Sequence, residues 1–304
     1  MKGAILFIFF LLVLGAAGYF VYMQLPGNPI ALKINQTNEN ITLPQYSESK
    51  QFYPNLRFAT NKITYGFEDA CSDEKKVSVR DAVSILEKDT VLVFDEKPSN
   101  DAQVHILCSE IGPEPEQAGH FVAGEGGPTE IINTTLYSVI RGGKLSLYRD
   151  ESCDRPLIAL HEMLHVLGFD HNSNPQSIMY PTLNCNEQLD SHIVDSINAL
   201  YHDESLPELT IIDANATKEG RYVSFSVKVM NRGLVEAESV SLDVLEGTNV
   251  LQTFDLGKID IGVIKALSVE NLKASRSGSE IKLHIRSPSR ELDENNNYLT
   301  LSAA

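Results

Sequence analysis

The stretch His161-Glu162-Met163-Leu164-His165-Val166-Leu167-Gly168-Phe169-Asp170-His171, followed by Ser177-Ile178-Met179-Tyr180-Pro181, decides how the rest of the chain is read. On a helix, His161 and His165 stand one turn apart and point the same way, so two imidazoles reach one metal ion with Glu162 beside them. Gly168 accepts the left-handed turn that ends the helix and swings the chain back, which brings in His171 as the third ligand. Three neutral nitrogens leave one position of a tetrahedral zinc open to water, whose pKa the metal lowers from about 16 to about 7. Glu162 is the natural base for that water. A buried helix with scattered histidines would need neither the glycine, nor the third histidine, nor the downstream Met-Tyr-Pro, and all three stand here in order.

This pattern resembles the metzincin clan of zinc endopeptidases and, within it, the matrixins. Met179 lies eight residues after His171, with Pro175 between them, and is similar to the methionine of the matrixin turn under the zinc. Residues 189–201 are similar to the matrixin closing helix. The resemblance implies an α+β metzincin catalytic domain, a mixed twisted sheet with a zinc helix, that cleaves protein or peptide substrates with one catalytic zinc ion. Met179 would be an apolar support that donates nothing to the metal. The matrixin edge strand, to which an extended substrate adds, falls by position at residues 117–123. A second zinc is not expected, because His120 lacks a His-x-Asp partner, and calcium has no clear motif. His105, His192, His202 and His284 read as ordinary histidines. No Pro-Arg-Cys-Gly-like segment precedes the domain, so latency through a cysteine thiol is not expected.

The chain has 304 residues, 42% of them hydrophobic and 22% charged, enough for two globular domains with proper cores. Its net charge of -16 excludes a nucleic-acid partner, since phosphate binding needs clustered Lys and Arg. Residues 4–23 carry no charge and match the length of a membrane-crossing helix, with Lys2 before them. They predict a transmembrane anchor with its N-terminus inside. Gly15-Ala16-Ala17 leaves a cleavable signal segment open. Either reading exports the rest, giving a single-pass membrane protein with its catalytic domain outside or a secreted one. Residues 24–55 read as a stalk or linker. They contain the glycosylation sequons at Asn35 and Asn40, with others at Asn133 and Asn215.

Within a catalytic domain at 56–203, strands are expected at 63–67, 91–94 and 104–107, with more between 131 and 147 around a Gly142-Gly143 turn. A helix opens on a capping box at Ser78 and Asp81. The zinc helix starts at Asp154 with Pro156 in its first turn. Cys71, Cys108, Cys153 and Cys185 are even in number and lie in the exported part, which favours disulfides. Three pairings are open. Cys71 with Cys108 and Cys153 with Cys185 is preferred, because the second ties the start of the zinc helix to the segment beyond Met179.

After Tyr201 the pattern changes to period two: Val223, Phe225, Val227 and Val229, then Val240, Leu242 and Val244, then Ile281, Leu283 and Ile285. This predicts an all-β immunoglobulin-like sandwich over 207–304. The stretches at 229–233 and 291–298 resemble CARDB cell-adhesion-related domains, which implies a module that holds the enzyme to a cell-surface or extracellular ligand. The competing reading is a catalytically inactive adhesion protein on a metzincin scaffold. Such a protein has no need of Glu162 beside an open metal position.

Overall fold

The computed structural model describes residues 2–24, 29–36, 50–114, 121–276 and 280–303, with side chains omitted at 2–6, 22–24, 29–30, 34–36 and 302–303. The chain opens with helix α1, Lys2–Gln24, whose described side chains, 7–21, are exposed and almost wholly apolar. Among the described residues, no helix is long and apolar enough to cross a membrane. Strand β1, Pro29–Gln36, follows. The chain then divides into two compact units: 41–206 with 232–235, and 1–40 with 207–231 and 236–304.

The first unit is built on a six-stranded sheet of β2 (Leu56–Phe58), β3 (Lys62–Phe67), β4 (Val93–Glu96), β5 (Val104–Cys108), β6 (Gly124–Asn133) and β7 (Ser138–Leu147). Strands β7, β5, β3 and β4 run parallel in that order, β2 also pairs parallel with β7, and β6 alone is antiparallel, along the length of β7. Helix α2, Asp73–Asp89, crosses from β3 to β4 and buries Val79, Ala82, Val83 and Leu86 at helical spacing. It starts earlier than expected. Ser72, not Ser78, is the cap and accepts the Lys75 N–H, with Asp73 and Glu74 favouring the positive helix end.

Three further expectations change. Gly142 and Gly143 make no turn but lie inside β7, where a Cβ at Gly143 would stand 2.7 Å from Val166 Cγ1. Gly143 lets the helix that carries Val166 press on the sheet. Of the edge strand expected at 117–123, residues 121–123 form no strand and lead into the antiparallel strand β6, while 115–120, including His120, lie outside the described residues. The stalk read at 24–55 is interrupted by structure at both ends. Residues 50–52 pair within the first unit and β1 pairs within the second, while 37–49, with the Asn40 sequon, lie outside the described residues.

Helices α3, Leu157–Val166, and α4, Ser191–Leu200, complete this unit. Arg57, 1% exposed, ties α4 to β2: its guanidinium donates to the Leu200 carbonyl and lies 4.3 Å from the Tyr201 ring centroid. The Tyr201 hydroxyl in turn accepts the Phe58 N–H at 2.9 Å. Disulfides join Cys71 to Cys108 and Cys153 to Cys185. Closing loops of 37 and 32 residues stabilises the fold by about 4 kcal/mol each in the chain-entropy model.

The second unit holds β8 (Leu209–Glu219), β9 (Tyr222–Asn231), β10 (Ala237–Glu246), β11 (Asn249–Ile259), β12 (Ile264–Lys273), β13 (Glu280–Arg286) and β14 (Tyr298–Ala303). All pairings are antiparallel, in the order β11-β10-β13-β14-β1-β8-β9-β12. Strand β1 passes between two halves: residues 29–31 pair with β8, and 32–36 pair with β14. Inward residues of both halves, among them Val223, Phe225 and Val227 from β9 and Val240, Leu242 and Val244 from β10, share one core, as in a sandwich.

Candidate metal centre and cleft

The zinc helix begins without a side-chain bond from its N-cap, Pro156. Glu151 serves instead of Asp154, its carboxylate accepting the Ile158 N–H at 2.9 Å together with those of Ser152 and Cys153. From here α3 carries His161, Glu162 and His165 into the interior, all below a tenth exposed. Gly168 then turns the chain at φ 97°, where a Cβ would meet Leu56 Cδ2 at 2.6 Å. His171 arrives three residues later.

The three Nε2 atoms form a nearly equilateral triangle, with separations of 3.0 Å for His161 to His165 and 3.1 Å for each of these to His171. His161 Nδ1 lies 2.6 Å from the Ile178 carbonyl and His165 Nδ1 lies 2.7 Å from the Phe169 carbonyl. A carbonyl can only accept, so both protons sit on Nδ1 and both Nε2 atoms offer lone pairs. Lone pairs facing each other at this distance repel unless a cation lies among them. His161, His165 and His171 would hold such a cation, and three neutral imidazole nitrogens are a donor set that suits zinc.

Burial keeps the three imidazoles neutral. It pushes His161 down to about 3, helped by His165 and His171 and opposed by the bond to Ile178. His165 is pushed down to about 4, again chiefly by burial, and His171 is lowered for the same reason. Glu162 moves the other way, up to about 8, through burial first and the Glu125 carboxylate second, against a hydrogen bond from the Gly126 N–H. A cation held by the histidines would pull it back down.

Met179, 1% exposed, belongs to the same core as α3. The turn that holds it is pinned by polar contacts: its carbonyl accepts the Asn172 N–H at 2.9 Å, and its N–H donates to Ser177 Oγ at 3.0 Å. Ser177 Oγ also accepts from Asn172 Nδ2 at 2.6 Å and donates to Asp190 at the start of α4.

A cleft of about 1230 Å³ opens over the triangle and is lined by Phe121, Gly124, Gly126, Glu162, the three histidines and the Cys153–Cys185 disulfide, among others. Strand β6 forms one wall. Its glycines admit the helix, since a Cβ would lie 2.7 Å from Glu162 Cγ at position 124 and 2.0 Å from the Glu162 carbonyl oxygen at position 126. Sequence reasoning missed this role, although the Gly124-Glu125-Gly126-Gly127 run signals a close backbone approach. The other histidines, His105, His192, His202 and His284, stand outside the metal group, and Cys71–Cys108 lies away from the cleft lining.

Residues 57–202 match the family model described as Matrixin, and residues 206–301 match CARDB. The chain is matrixin-like, with a CARDB domain. Human matrix metalloproteinase-26 is 26% identical to it over 172 residues, covering 53% of this chain and 66% of that protein. The chain thus spans just under two thirds of that relative. Among solved structures, a crystal structure of a CARDB domain from Pyrococcus furiosus, described as in complex with di-metal ions, aligns at a TM-score of 0.28 and 18% identity over 33% of this chain and 88% of that one. The solution structure of that domain aligns at 0.27 and 16%, over 33% and 96%. The matrixin-like domain thus carries the histidine triangle, and the CARDB domain follows it.

Proposed function

We propose that this chain is a membrane-anchored zinc endopeptidase acting outside the cell, with Glu162 as general base. The observation that carries the reading is the triangle of three imidazole nitrogens in a cleft walled by β6. Among the described residues, no named strand pairs with the second edge of β6. An extended peptide adds to that edge through main-chain hydrogen bonds, which brings one of its carbonyls to the histidines. Zinc, when bound there, supplies Lewis-acid polarisation and a lowered pKa for water at its open position. The Glu162 carboxylate takes the proton of the attacking water and hands it to the departing amide nitrogen, while the Gly126 N–H keeps that carboxylate aimed. The anchor rests on the uncharged run of residues 4–23 in the sequence, and two disulfides suit an oxidising compartment. The CARDB domain serves to hold the enzyme at a surface ligand, raising its local concentration there.

The test is Glu162→Gln. It should bind zinc as the unmodified protein does while kcat/KM on a short peptide falls by about 100-fold or more. Undiminished hydrolysis would remove Glu162 from the mechanism. Protease shaving of intact cells should remove the catalytic domain, and its survival would contradict an outward orientation.

A further inference from the structure

We propose that residues 50–52, just before β2, form a strap that positions two of the three metal ligands, His165 and His171. The proposal rests on the reading above only in taking the histidine triangle as a zinc site. Between His165 and His171 the chain leaves α3, reverses at Gly168 and must deliver the third imidazole from an irregular segment. Two bonds inside the turn fix its start: Gly168 N–H to the His165 carbonyl at 2.9 Å and Phe169 N–H to the Leu164 carbonyl at 3.0 Å. The rest is held from outside.

Gln51 and Phe169 form an antiparallel bridge. The Phe52 N–H donates to the Gly168 carbonyl at 3.0 Å, and the Asp170 N–H donates to the Lys50 carbonyl at 2.8 Å. These two bonds bracket Phe169, the residue whose carbonyl accepts from His165 Nδ1. The side chains reach the same targets. The Phe52 ring stacks on the His165 imidazole with centroids 5.8 Å apart and planes inclined at 22°. Lys50 Nζ lies 2.6 Å from Asp170 Oδ2, and Asp170 Oδ1 accepts the His171 N–H at 2.7 Å. Gln51 anchors the strap to β2 by donating to the Leu56 carbonyl at 2.7 Å.

The three residues therefore divide the work. Phe52 fixes the face of His165, Gln51 sits opposite the carbonyl that sets the tautomer of His165, and Lys50 steadies the carboxylate that precedes His171. Partners one step removed from a metal typically change its affinity 10- to 100-fold. The Lys50 side chain is 63% exposed, so its ion pair contributes less than its backbone carbonyl.

The experiment measures zinc affinity of the full chain in detergent by competition with a chromophoric chelator, alongside the melting temperature of the metal-free protein. Phe52→Ala should weaken zinc by about 10- to 100-fold, Lys50→Ala by less, and Phe52→Tyr should restore the affinity. Unchanged affinity in Phe52→Ala, even with a lower melting temperature, would show that the strap serves only the fold and would overturn the proposal. If Phe52→Ala does not fold, Lys50→Ala with Asp170→Asn decides, and affinity equal to that of the unmodified protein in both overturns it. Zinc binding without peptide cleavage would refute the peptidase reading, and the measured affinities would still decide for or against the strap. No zinc binding at all would refute both.

Discussion

Replacing Gly126 with alanine puts one methyl group where β6 crosses the zinc helix. The new Cβ would lie 2.0 Å from the Glu162 carbonyl oxygen and 2.7 Å from its carbonyl carbon, whereas ordinary contact begins at 3.4 Å. Both neighbours are backbone, so strand and helix must part by about 1.4 Å, the difference between 3.4 and 2.0. Overpacking of this kind costs about 1–3 kcal/mol, a fall in melting temperature of roughly 3–10 °C for a domain of this size. Activity should suffer more. The Gly126 N–H that holds the Glu162 carboxylate withdraws with the strand, and a misplacement near 1 Å costs about 100-fold in rate. The control is next door, since a Cβ at Gly127 meets nothing within 4 Å. Gly127→Ala should cleave a fluorogenic peptide at the rate of the unmodified protein. If zinc-loaded, folded Gly126→Ala did the same, the close approach of β6 would have no part in aiming Glu162.

Met179→Leu nearly conserves volume at a buried site and should cost less than about 1.5 kcal/mol, with peptide hydrolysis retained; abolished turnover in folded protein would give the sulfur a role beyond packing. Replacing Cys153 and Cys185 together by serine releases a 32-residue loop beside the cleft. Calorimetry should register a loss of up to about 4 kcal/mol. In the CARDB domain, burial holds Glu291 up at about 7, with bonds from the Leu209 N–H and Asn297 opposing the shift. An acid whose folded pKa is raised contributes stability that is present below about 4.5 and lost as pH rises through about 7. Melting curves of the sandwich between those values should therefore slope downward, and Glu291→Gln should flatten that slope.

The histidine triangle was legible because its requirements are local: two histidines one helical turn apart, a glycine to reverse the chain and a third histidine just beyond. The strands of the sandwich were legible for the same reason, as period-two alternation is written within each strand. What escaped depended on distant partners. Ile30, Leu32 and Ile34 alternate as clearly as Val223, Phe225 and Val227, but the partners of β1 include residues 299–303, and the polar residues around it suggested a stalk. Gly142-Gly143 looked like a turn because sequence does not distinguish a glycine that bends the chain from one that makes room for Val166. Phe52 gave no sign at all. Its meaning lies in His165, which is 113 positions away along the chain.

Strand β1 also changes what a protease would have to do to set the matrixin-like domain free. Because β1 pairs with β8 and β14, the sandwich is entered before the matrixin-like domain and re-entered after it, so that domain is an insertion between two strands of another fold. A single cut between β1 and Lys50 leaves the domain joined through β8, and a single cut between α4 and β8 leaves it joined through β1. Shedding requires both scissions. A tether of this form tolerates one nick without releasing the matrixin-like domain into its surroundings.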